Sequence, residues 1–225
     1  MKNNIKFSPN SNNFKEYKSK LYSLSNEQYE IAIGLILGDV SIQSQNKGKT
    51  YRLKFEWGDI NKDYAFNVYG LFKEWILTEP KPRIRINKKG NKITTWWFQT
   101  FSHEAFNPLA QLFLMNGKKI VPKNLIKDHL SSKGLAYWFM DDGGKLDYTP
   151  NSGKGIQFNT HSFAKLEVEQ MCIELHDKFN LNCWVKLNKS RYTIAISGKS
   201  YENFINLTEP YIIDSMKRKL PSSRK

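Results

Sequence analysis

Ile31-Ala32-Ile33-Gly34-Leu35-Ile36-Leu37-Gly38-Asp39 is an apolar run that ends abruptly in a carboxylate. The pattern returns at Leu135-Ala136-Tyr137-Trp138-Phe139-Met140-Asp141-Asp142-Gly143. Read as helices, both runs place an anion at the C-terminal end, where the macrodipole is already negative and disfavours it by roughly 0.3–1 kcal/mol. Burial of the run also draws the carboxylate toward low dielectric. Positive groups are therefore expected beside Asp39 and Asp142. Ser25-Asn26-Glu27-Gln28 has the form of a capping box and starts the first helix. Gly34 and Gly38 lie four apart on one face of it, and small residues at that spacing let a second helix approach closely. Both glycines are expected at a helix interface.

Beyond each run the chain follows one order. After the first, Thr50–Trp57 alternates as a strand, with Arg52, Lys54 and Glu56 on its charged face. Asp63–Leu77 has helical spacing, stopped by Pro80 and Pro82. Arg83–Lys88 and Lys92–Thr100 form a hairpin around Lys89-Gly90-Asn91, and His103–Asn116 reads as a helix. After the second run come a strand at Gly155–Thr160 and a helix at Phe163–Phe179. A hairpin from Leu181–Leu187 and Arg191–Ser197 follows, then a helix from about Lys199 to Ile213. Asp142 follows Asp39 by 103 residues; Lys119 follows Asp39 by 80, and Lys219 follows Asp142 by 77. Matching order and matching offsets indicate a duplicated unit in a mixed α+β chain. The expected boundaries are a basic N-terminal arm at 1–24, a first half at 25–122, a second at 123–221 and a tail at 222–225.

Hydrophobic residues make up 40% of the 225 and aromatic residues 14%, enough for a sizeable core. The net charge is +14, the electrostatic footprint of a protein that binds a polyanion, most simply nucleic acid. Cys172 and Cys183 read as reduced core residues, without the spacing of a zinc site or a disulfide framework. No apolar stretch reaches the ~18 residues of a membrane span, and Met1–Asn13 lacks the apolar core of a signal peptide. Asn, Lys, Ile, Tyr and Phe, whose codons are A/T-rich, are abundant. That composition fits an organelle-encoded protein of the mitochondrial matrix. Gly48-Lys49-Thr50 echoes a P-loop but has Gln43 where that motif needs glycine. His103, His129, His161 and His176 have no ligand spacing.

Two copies of one unit bring Asp39 and Asp142 together at the ends of paired helices. Two carboxylates side by side suit a hard divalent cation such as Mg²⁺, which keeps several waters and takes phosphate oxygens as further ligands. The main-chain carbonyls of Gly38 and Asp141, left over at the helix ends, are candidate additional ligands. Asp141 aligns with Gly38 in the repeat, so Asp142 is the counterpart of Asp39. A metal between attacking and leaving oxygens is the usual arrangement for phosphodiester hydrolysis. Lys119 and Lys219, one per half, are placed to polarise the attacking water or stabilise pentacovalent charge. Candidate phosphate and base contacts are Lys15, Lys18 and Lys20 near the N-terminus, and Arg52 and Lys54 on the first strand. Arg83, Arg85, Lys88 and Lys92 on the hairpin join them, as do Lys145, Asp147 and Tyr148 after the second run and Lys186, Lys189 and Arg191 on the second hairpin.

The two runs resemble the paired motifs of the two-motif, monomeric LAGLIDADG homing endonucleases, and the likeness extends from about Phe14 to Pro221. Leu135–Lys145, Lys118-Lys119-Ile120-Val121-Pro122 and Lys219-Leu220-Pro221 carry it most strongly. The resemblance implies two pseudo-symmetric αββαββα halves with saddle-shaped antiparallel sheets and a central two-helix interface. It implies Asp39 and Asp142 as shared metal-binding carboxylates, with Lys119 and Lys219 as the basic residues of two half-sites. The implied reaction is Mg²⁺-dependent cutting of both strands of a long asymmetric DNA site across the minor groove, leaving 3′ overhangs. Mn²⁺ is expected to substitute, and no obligate protein partner is expected. Val40 replaces the final glycine of the motif, and Gln43 and Gln45 stand where a related enzyme has arginines, so contacts there are expected to differ. The alternative is an intron RNA-binding maturase on the same fold; retention of both Asp and both Lys favours the nuclease.

Overall fold

The helix that carries the first motif begins where its capping box predicts: the Gln28 N–H donates to Ser25 Oγ at 3.1 Å and the Ser25 N–H to Gln28 Oε1 at 3.0 Å. In the computed structural model, which describes residues 8, 10–146 and 153–221, this helix is α2 (Asn26–Leu37), preceded by α1 (Asn12–Ser19). The chain divides into two compact units, one from Met1–Gln28 and Val40–Gln111, the other from Tyr29–Asp39 and Leu112–Lys225. The units are not continuous in sequence: α2 starts in the first and gives most of its length to the second.

The first unit is built on an antiparallel sheet of order β1-β2-β4-β3, from β1 (Ser41–Gln43), β2 (Arg52–Gly58), β3 (Lys81–Ile86) and β4 (Lys92–Gln99). Alternation decides the faces: Leu53, Phe55 and Trp57 are buried while Arg52, Lys54 and Glu56 are part-exposed. Against the apolar face packs α3 (Lys62–Leu71), with Phe55 stacked on Phe98 at 4.6 Å and Trp57 edge-on to Tyr64 at 5.0 Å. Helix α1 docks on this unit. Phe14 packs edge-on against Phe101 at 5.2 Å, and the Tyr17 hydroxyl donates to the Glu74 carbonyl at 2.7 Å.

The expected helix at Asp63–Leu77 is shorter. It stops at Leu71, and a single 3-10 turn, Lys73–Trp75, inserts Trp75, whose indole N–H reaches Gln28 Oε1 at 3.3 Å. The expected helix at His103–Asn116 is also divided. A 3-10 turn at Glu104–Phe106 leads into α4 (Asn107–Phe113), with Pro108 in its first turn, where a missing N–H costs nothing. The rest is a small hairpin, β5 (Leu114–Met115) and β6 (Lys118–Lys119), turning at Asn116 (φ 52) and Gly117 (φ 74).

In the second unit α5 (Leu125–His129) leads to α6 (Ser132–Asp142), the second motif, capped by Ser131 Oγ accepting from the Gly134 N–H. The sheet order β7-β8-β10-β9 repeats that of the first unit, with β7 (Gly143–Lys145), β8 (Ile156–Phe158), β9 (Cys183–Asn188) and β10 (Arg191–Ile196). Its apolar face packs against α6 and against α7 (Lys165–Phe179), with Trp138 4.3 Å from Phe158. The expected last helix is α8 (Tyr201–Thr208), flanked by 3-10 turns at Gly198–Ser200 and Glu209–Tyr211, with Pro210 the second residue of the latter. Each half thus reads αββαββα, from α2 to α4 and from α6 to α8. The short strands β1 and β7 are too brief to show alternation in sequence. Among the described residues no helix is long and apolar enough to cross a membrane.

Candidate active site

Helices α2 and α6 meet at their glycines. A Cβ on Gly34 would strike the Gly134 carbonyl, a Cβ on Gly134 would lie 2.8 Å from the Glu30 carbonyl oxygen, and one on Gly38 would lie 2.5 Å from Asp141 Cβ. Backbone contact at these points sets the two C-termini side by side. Gly134 has no place in the sequence reading, because the matching run starts one residue later, at Leu135. The Asp39 N–H donates to Asp141 Oδ2 at 3.2 Å, so one motif's acidic side chain caps the other motif's end.

The positive groups expected beside the carboxylates are Lys119 and Lys219. Lys119 Nζ donates to the Gly38 carbonyl at 2.9 Å, and Lys219 Nζ to the Met140 and Asp141 carbonyls, each at 2.6 Å. Each ammonium therefore satisfies the carbonyls of a helix C-terminus and opposes its dipole. Lys119 is delivered by the β5–β6 hairpin and Lys219 by a 3-10 turn at Asp214–Lys219. The Gly38 and Asp141 carbonyls, the candidate main-chain metal ligands, each accept one of these ammonium N–H groups and retain a second lone pair.

The carboxylates are held in an uncomfortable state. Burial first, and then the negative charge of Asp39, push the Asp142 carboxyl up to about 7, against the pull of Lys119 and Lys219. Surrounding protein also raises Asp39, with both lysines opposing. Asp39 keeps an exposed surface, so solvent moderates the effect there and Asp142 bears more of it. Burial lowers the pKa of both lysines, while the carboxylates around them act to raise it. Two carboxylates that resist ionisation, with solvent access at one, are the donor set a divalent cation relieves. Among the described residues no three acidic, His or Cys side chains gather as a metal-binding group. The remaining ligands would be water and phosphate oxygens, as suits Mg²⁺.

The basic candidates divide by strand register. Gln43 pairs with Arg52, Arg83 with Thr95 and Arg85 with Ile93, which puts Gln43, Arg52, Lys54, Arg83 and Arg85 on the polar face of the first sheet. Glu56 organises that face: it accepts from Arg83 and Arg85 at 3.0 Å each and from the Thr95 hydroxyl at 2.8 Å. The Arg83 guanidinium also lies 4.5 Å from the Trp97 ring centre. Lys92 pairs with Ile86 and falls on the opposite face, one residue out of phase with Arg85's partner. Lys88 is exposed in the hairpin turn, and Gln45 is exposed after β1. On α1, Lys20 pairs with Glu16 and Lys18 lies over Phe101, leaving Lys15 exposed without a described ion pair.

In the second unit a cavity of about 330 Å³ is lined by Lys145, Gln157, Asn159, Lys186 and Asn188. The amides among them escaped the sequence reading, although Gln157 is the one polar residue between buried Ile156 and Phe158. Lys189 and Arg191 stand at the exposed tip of the β9–β10 hairpin. Asp147 and Tyr148 lie outside the described residues.

Comparison with known proteins places this geometry. The model of the LAGLIDADG DNA endonuclease family matches residues 29–204. A protein described as "Probable intron-encoded endonuclease 1" of Wickerhamomyces canadensis is 45% identical over 213 residues, 94% of this chain and 91% of its own. Cytochrome b mRNA maturase bI2 of Debaryomyces hansenii is 31% identical over 202 residues, 88% of this chain and 74% of its own. The homing endonuclease I-WcaI, solved bound to its DNA recognition sequence, superposes with a TM-score of 0.94 at 42% identity over the whole of both chains. With the family model spanning both motifs and their sheets, the chain belongs to the LAGLIDADG DNA endonucleases.

Proposed function

We propose that this protein is a site-specific double-strand DNA endonuclease of intron homing, organelle-encoded and acting in the mitochondrial matrix. The observation that carries it is the pairing of two strained carboxylates, Asp39 and Asp142, with two lysines at touching helix ends. Asp39 and Asp142 would hold Mg²⁺, or Mn²⁺ in its place, and the ion would supply Lewis-acid stabilisation of the phosphoryl group and a more acidic water. An ammonium has three donors. After their carbonyl contacts Lys119 keeps two and Lys219 one to orient the attacking water or meet developing charge on phosphate oxygens, each lysine serving one strand. The face of Arg52, Lys54, Arg83 and Arg85 in the first unit and that of Lys145, Lys186 and Arg191 in the second bind phosphates and base edges.

The relative named as an mRNA maturase supports a second reading, intron RNA binding on the same fold. The raised carboxyl pKa of both Asp39 and Asp142 favours the nuclease: RNA binding has no use for two anions held at a cost.

Plasmids bearing the I-WcaI recognition sequence and its single-position variants provide the test. With Mg²⁺ the protein is expected to linearise some of them with 3′ overhangs, and Asp39→Asn, Asp142→Asn or chelator to abolish cutting with the fold intact. No cutting anywhere, together with tight binding of intron RNA, would overturn the nuclease assignment.

A further inference from the structure

Lys119 and Lys219 occupy matching places after their motifs, but their surroundings differ. Lys219 uses two N–H groups on main-chain carbonyls. Lys119 uses one, on Gly38, and its ammonium lies 5.4 Å from the centre of the Phe163 ring. Phe163 is 6% exposed and sits in the turn before α7. A ring face localises a cation without consuming an N–H. One carboxylate ties the two segments together. Glu167 Oε1 accepts the Val121 N–H at 2.8 Å, two residues past Lys119, and Oε2 accepts the Ala164 N–H at 2.7 Å, adjacent to Phe163. Charge-assisted bonds of this kind are the stronger class, and one rigid carboxylate accepting from two backbones fixes their separation. The other copy lacks the splint. The residue matching Val121 is Pro221, which has no N–H; its carbonyl accepts instead from the Tyr201 hydroxyl at 3.2 Å.

We infer that Glu167 is a positioning residue for Lys119 alone. By splinting the strand that leaves Lys119 to the turn that carries Phe163, it holds the ammonium between ring and Gly38 carbonyl and so governs one of the two strand cuts. The inference rests on the reading above that each lysine serves one strand.

The test uses Glu167→Ala, Glu167→Gln and Phe163→Leu. A glutamine retains one acceptor oxygen, so it holds only one of the two amides. The substrate is an end-labelled duplex and a supercoiled plasmid carrying whichever I-WcaI site variant the wild type cuts. Glu167→Ala is expected to slow cutting of one strand about tenfold while the other stays within about twofold, so that nicked circles accumulate. Phe163→Leu, which keeps apolar bulk, is expected to bias against the same strand, and Glu167→Gln to fall between. Equal slowing of both strands, the signature of a general loss of fold, overturns the inference.

A second measurement needs no DNA. In the proton NMR spectrum of the uncomplexed protein the Lys119 ε-methylene signals are expected to carry a ring-current shift from Phe163. Glu167→Ala is expected to return them toward the random-coil position while those of Lys219 stay. Unmoved Lys119 signals overturn the inference even if the wild type cuts no DNA, a result that by itself would instead count against the endonuclease reading.

Discussion

Asp142 shows how function is set against stability at a single residue. Burial and the neighbouring Asp39 charge push its carboxyl up to about 7 in the folded protein, from 3.8 for an ordinary aspartate. Below the lower value both states are protonated and the metal-free fold keeps its full stability from this group. As pH rises from 4 to 7 the unfolded chain releases its proton first, so stability falls, and above 7 the folded state carries the whole cost. That cost is as much as about 4 kcal/mol, at 1.36 kcal/mol per unit. Asp142→Asn, which mimics the protonated form, is therefore expected to melt higher than the wild type at pH 8 in chelator. The gap should close toward pH 5, and cutting should be absent throughout. Calorimetry across that range checks it; a variant less stable than the wild type at pH 8 would show that the carboxylate is not strained.

At the scale of elements, α2 and α6 are governed by what their glycines leave out. Gly34→Ala drives a methyl group into the Gly134 backbone, which no rotamer change relieves, and is expected to cost about 2–3 kcal/mol in urea unfolding. Gly70, on α3, has nothing within 4 Å of an added Cβ, so Gly70→Ala is expected to stabilise by about 0.5–1 kcal/mol. Similar losses from both substitutions would contradict the packing assigned to α2 and α6. The contrast also shows what the sequence conveyed. Gly34 and Gly38 were legible because spacing four apart marks a helix face, and Asp39 because an anion is misplaced at a helix end. Lys119 was legible from its offset in the repeat. Its delivery by a hairpin was not, since Leu114 and Met115 continue a helical apolar spacing until Asn116 and Gly117 turn the chain. Glu56, Phe163 and the Val121 contact of Glu167 act through partners many positions away, and such pairings leave no periodic trace.

For the molecule as a whole, a net charge of +14 and two separately organised basic faces predict binding dominated by counterion release. Affinity for duplex DNA is expected to fall steeply with salt, and Arg83→Ala to weaken it while reducing the log–log slope by about one. Fluorescence anisotropy from low to moderate salt checks this; a slope unchanged in Arg83→Ala would remove Arg83 from the phosphate contacts.

The interleaving of the two units has a consequence for synthesis. Ile31, Ile33, Leu35 and Ile36 are wholly buried, and the partner backbone that covers their helix lies in α6. The ribosome reaches α6 about a hundred residues later, roughly 5–20 s at ordinary elongation rates. During that interval the nascent chain can complete its first sheet, while an oily helix waits for a surface not yet made. A translation pause or premature stop between the motifs would strand that helix in water, so the first half of this chain is not a finished product in its own right.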